Sequence, residues 1–195
     1  MIERSQPPDR FKAARIESHL ALLEFDSGRY SAAEAAANRA LAIERAIGGG
    51  ESSPDTAWTM ITLAETRVFQ HHPESAEPLL RGALEIFEKK LPPRYPPVVA
   101  AQIRLGEALV AEGKASAAEP ILREALGSAY SAPFQIPSWQ VGEAESALGW
   151  CLAALGRKQE GQRLVEQSKK KLLADPRPAL RRQAAAHLKA LIDPS

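Results

Sequence analysis

At 195 residues the chain is long enough to bury a substantial core, as one domain or two small ones. Its 45% hydrophobic and 25% charged content excludes wholesale disorder, and a formal net charge of +1 excludes a general polyanion binder. A lone cysteine, Cys151, excludes an internal disulfide and points to a reducing compartment. The opening MIERSQPPDR lacks the apolar core of a signal peptide, and no stretch approaches the roughly 18 uninterrupted apolar residues of a membrane span. A soluble, cytoplasmic protein is expected.

After a tail at 1–9, the chain repeats itself. Four segments align without gaps, opening at Leu20, Leu63, Leu105 and Leu148, so that successive starts differ by 43, 42 and 43 residues. A small residue follows each leading leucine: Ala21, Ala64, Gly106 and Gly149. Eight residues after the leucine comes a turn position, Gly28, His71, Gly113 or Gly156. Five further on stands a second small residue, Ala33, Ala76, Ala118 or Gly161. Apolar residues at three- and four-residue spacing before the turn, such as Ile16, Leu20 and Leu23, predict an amphipathic first helix. Glycine then ends it in a left-handed conformation. Ser31 and Ser116 are expected to cap the second helices, with Pro78 and Pro120 near their first turns. The small residues let the paired helices approach closely. GGGESSP, LPPRYPP and SAPFQIPS break the chain between units. The predicted units are 10–47, 54–91, 96–130 and 139–174. An amphipathic helix at 177–192, striped by Leu180, Ala184, Leu188 and Leu191, is expected to cap the stack.

At these residues the chain resembles the tetratricopeptide family, in the long-repeat variety of kinesin light chains. The family's signature, G-[RK]-x-x-x-A-E-P-L-x-x-x-A-L with a proline opening the next unit, is matched by AEPLLRGAL and AEPILREAL, with Pro54 and Pro97 following. The resemblance covers about 10–192 and implies a single all-α, right-handed superhelical solenoid of four helical hairpins plus the capping helix. It departs from the family in two ways. The large aromatic expected three residues before the leading leucine is replaced by Glu17, Met60, Gln102 and Glu145, and no asparagine precedes the leucine.

Chemistry-bearing residues are few. His71 and His72 fill a turn, with no partners at metal-ligand spacing. Cys151 sits in GWCLAAL as a small core residue. The glycine run at 48–50 lacks the Lys-Ser/Thr ending of a phosphate loop. No catalytic motif appears, so neither an enzyme, a metal nor a cofactor is expected.

The resemblance places the first helix of each unit on a concave face, with residues just before and two after the leading leucine pointing inward. These are His19 and Leu22, Thr62 and Glu65, Arg104 and Glu107, and Ala147 and Trp150; Arg15, Trp58, Glu143, Asp26 and Phe69 lie a turn away. Trp58, Trp150 and Phe69 either anchor a ligand or fill the space between hairpins. The charges either recognise a partner or form a solvated face. From 157 to 195 the chain carries +6, leaving −5 elsewhere. Lys169, Lys170, Lys171, Arg181 and Arg182 make a basic patch that either caps the stack or meets an acidic protein. Nucleic acid is disfavoured, because no aromatic accompanies these charges. The expected function is a protein-interaction scaffold that takes a peptide or protein segment in its groove, alone or as a homo-oligomer. The alternative is a sensor module of a larger bacterial signalling protein.

Overall fold

The computed structural model describes residues 9–47, 52–132 and 135–172. The described residues form eight α-helices and no strand: α1 Arg10–Asp26, α2 Tyr30–Arg45, α3 Pro54–Phe69, α4 Glu77–Lys90, α5 Pro96–Ala111, α6 Ala115–Ser131, α7 Ser138–Ala154 and α8 Lys158–Leu172. They pair as hairpins, and the odd-numbered helices also touch in succession, α1 with α3, α3 with α5 and α5 with α7. That pattern is a one-dimensional stack whose inner face is built from the odd helices. The capping helix expected at 177–192 lies outside the described residues.

Each hairpin turns in the same way. Gly28, Gly113 and Gly156 adopt φ of 76°, 78° and 81°, and His71 joins them at 67°. In every turn the following residue donates its N–H to a carbonyl five residues back: Arg29 to Glu24, His72 to Arg67, Lys114 to Leu109 and Arg157 to Leu152, at 2.8–2.9 Å. The turn residue itself bonds three back, to Phe25, Val68, Val110 and Ala153. Two helix-end carbonyls are satisfied at each turn by this Schellman arrangement. His71 pays a steric penalty that glycine does not. Replacing His71→Gly is expected to raise stability by about 0.5–1 kcal/mol, and Gly113→Ala to lower it by about 1 kcal/mol, read as shifts of the urea midpoint.

The close-approach positions behave as their size predicts. Ala21, Ala64, Ala33, Ala76 and Ala118 are fully buried. A Cβ on Gly106 would meet Leu122 at 2.4 Å, and one on Gly161 would meet the Gly149 carbonyl oxygen at 2.4 Å.

The second helices begin differently from expectation. α2 and α6 start directly behind the turn at N-caps Arg29 and Lys114, with no side-chain cap. Ser31 and Ser116 fall inside them, because the Schellman turn brings the helix start forward. Pro78 does stand in the first turn of α4, but Pro120 lies inside α6. In the second unit a 3-10 turn, Pro73–Ser75, takes the place of that extra helical turn.

The apolar stripe expected on α1 is also corrected. α1 buries Ala14, Ala21 and Phe25, while Ile16 and Leu23 are 66% and 62% exposed. In a stack, that face is one a preceding hairpin would cover.

Where the family's aromatic is replaced, the substitute reaches across its own hairpin or into the space beside it. Glu17 pairs with Arg39 at 2.8 Å, and Met60 lies against Gly82. Glu145, fully buried, accepts a hydrogen bond from Tyr130 and pairs with Lys171 at 2.5 Å. That bond, then burial, pushes the Tyr130 hydroxyl up to about 12. Gln102 is buried beside a cavity of about 460 Å³ between α4, α5 and α6.

The glutamate of the Ala-Glu pair recurs as a joint. Glu34 pairs with Arg67, Glu77 with Lys114 and Glu119 with Arg157, each bridging to the next unit.

Candidate binding groove

The inner face opens into a pocket of about 480 Å³ that reaches from α1 to α7. Eight of the residues read from the repeat register line it: Arg15, His19 and Leu22 on α1, Trp58, Thr62 and Glu65 on α3, Arg104 on α5 and Glu143 on α7. The other five do not line it; among them Ala147 is buried in the core and Asp26 ends α1. Phe69 packs edge-on to Phe25 and stacks on Tyr30, with centroids 5.4 Å and 5.3 Å apart. Trp150 packs against the main core, and Glu107 is buried within α5.

The floor is an ion cluster. Arg104, almost wholly buried, reaches Glu65 on α3 through Nε at 2.5 Å, Glu107 through Nη1 at 2.9 Å and Glu143 on α7 through Nη2 at 2.7 Å. Burial alone would lower the guanidinium's proton affinity. The carboxylates of Glu143, Glu107 and Glu65 outweigh it and hold the pKa well above the ordinary arginine value. A planar fork with five donors suits three acceptors better than an ammonium would. One side chain thus ties three consecutive units together.

The walls are apolar and hydroxyl-bearing. Trp58 keeps 42% of its surface exposed while its ring meets Phe87 edge-on at 5.3 Å. Trp139, Pro96, Pro97 and Pro137 supply further apolar surface. Behind Ser18 and Thr59, whose hydroxyls bond at 2.8 Å, Glu44 accepts from Thr59 at 3.2 Å. Burial pushes the Glu44 carboxyl above its ordinary pKa.

Asp55, Pro97 and Gln140 also line the pocket, and the repeat reading missed them. They stand eight residues before their leading leucines, so a further row in the same register would have found them.

Other candidates resolve simply. Cys151 is fully buried and donates to the Ala115 carbonyl at 3.3 Å; burial pushes its thiol up to about 11, away from nucleophilic use. In the basic patch, Lys171 is engaged with Glu145 and Lys169 with Glu166, while Arg181 and Arg182 lie outside the described residues. Among the described residues no group of three metal-ligating side chains occurs, and no helix is long and apolar enough to cross a membrane.

Residues 12–89 match the family model for the tetratricopeptide repeat. Among solved structures, the chain is similar to BtubC (BKLC) from P. vanneervenii, with a TM-score of 0.75 at 23% identity over 88% of this chain and 67% of that one. It is similar to a putative kinesin light chain from Podosopora anserina with nearly identical TPR-like repeats, at TM-score 0.66 and 21% identity over 91% and 92%. It also resembles the apo form of RapI, at TM-score 0.63 and 16% identity over 93% of this chain and 54% of that one. No curated protein sequence matches the chain. Residues 12–89 thus match tetratricopeptide repeats, and the hairpins that continue them through α8 share the fold of these solved structures.

Proposed function

We propose that the chain is a protein-interaction scaffold whose concave face seats an extended segment of a partner protein. The observation that carries this reading is the pocket itself. Inward residues from four successive units converge on one concavity, and a tryptophan there keeps 42% of its surface in solvent. Exposed aromatics in concave, partly apolar sites are typical anchors, since they bring large contact area at little conformational cost.

The test is retention from the native lysate on immobilised protein, comparing wild type with Trp58→Ala. A protein held by the wild type and released by the variant, with the helical circular dichroism unchanged, is the expected result. Equal retention by both, or by neither, removes the groove from the function.

A further inference from the structure

We propose that the central pocket selects its partner segment by one basic side chain, an arginine or lysine, which enters the space walled by Trp58 and Trp139 above the carboxylate-rich floor. This rests on the groove reading above and names the chemistry of what the groove takes.

Charge is the first argument. Asp55, Glu65 and Glu143 line the pocket together with the guanidiniums of Arg15 and Arg104, and Glu107, buried behind that lining, is bonded to Arg104. Two net negative charges remain. Hydrogen bonds inside the cluster distribute that excess but do not remove it. The floor is also buried, so water screens it less than it would a surface pair. An acidic segment meets repulsion there, and a neutral one leaves the field uncompensated.

The walls supply the second argument independently. A lysine or arginine carries an apolar stem beneath its charge, and Trp58, Trp139, Pro96, Pro97 and Pro137 offer surface for such a stem. An indole face also attracts the cation itself. The opening is long enough for neighbouring residues of an extended segment, because it runs along four units.

The experiment uses the full chain and four fluorescent peptides, identical except for a central arginine, lysine, citrulline or glutamate. Citrulline matches the shape of arginine without its charge. The arginine and lysine peptides are expected to bind about tenfold more tightly than the citrulline peptide, the glutamate peptide more weakly still, and the difference to shrink at high salt. Glu65→Gln should reduce the arginine-to-citrulline ratio. Arg15→Gln, on the exposed rim, should increase it, a gain that misfolding cannot mimic. Citrulline or glutamate peptides that bind as well as arginine overturn the basic preference; if Trp58→Ala then releases them, the groove reading survives alone. A ratio unmoved by Arg15→Gln and Glu65→Gln overturns the assignment of the charge to this pocket. If none of the four peptides binds, the proposal falls, and the retention experiment decides the groove reading by itself.

Discussion

Arg104→Ala is expected to destabilise the protein by about 3–5 kcal/mol at neutral pH, because it takes the buried guanidinium away from the three carboxylates that pair with it. The loss should exceed anything produced by removing one acid, since Glu107→Gln leaves Arg104 with two partners. It should also depend on pH. In the variant the carboxylates repel one another and favour protonation, so lowering the pH relieves the defect and the deficit against wild type narrows. Chemical denaturation at mildly acidic and neutral pH checks both points. A pH-independent deficit of about 1 kcal/mol would mean that water enters the floor and screens the charges.

Gly161→Ala is the second large effect, at about 1–3 kcal/mol of lost stability. The added methyl would lie 2.4 Å from the Gly149 carbonyl oxygen, so α7 and α8 must separate; a backbone atom cannot swing aside as a side-chain end can. Gly127→Ala provides the contrast. Its Cβ would meet nothing within 4 Å, and it sits in the interior of α6, so alanine is expected to stabilise by about 0.5–1 kcal/mol. The same substitution thus changes sign between two neighbouring hairpins. Thermal unfolding of the two variants side by side settles it.

Much of this was legible in the sequence for a definite reason. The turn positions and the paired small residues answer to local sterics, which repeat every 42 or 43 residues, so Gly28 and Gly149 announce their roles without any knowledge of the third dimension. The inward rows were legible because register carries over from unit to unit. What failed was whatever depends on neighbours. The Ile16 and Leu23 stripe has helical spacing, yet spacing alone does not say whether a preceding unit covers it. Likewise, Glu65, Arg104 and Glu143 read as separate inward charges. That they close into one cluster depends on the curvature that brings α3, α5 and α7 together. Phe69 could be placed near the groove, but its partners Phe25 and Tyr30 lie 44 and 39 residues upstream across a unit boundary.

The distribution of the core has a thermodynamic consequence. From Ala57 to Leu152 the buried apolar residues form one continuous body, whereas α1 and α2 join it through small separate clusters around Ala21, Leu41 and Leu63 and around Phe25 and Ala33. The first hairpin is therefore docked on that body through those clusters and through the bridges Ser18–Thr59 and Glu34–Arg67. Arg15, His19 and Leu22, one side of the pocket, are carried on that hairpin. A segment seated across the junction binds only the docked arrangement, so by mass action its occupancy and the docking of the first hairpin strengthen one another.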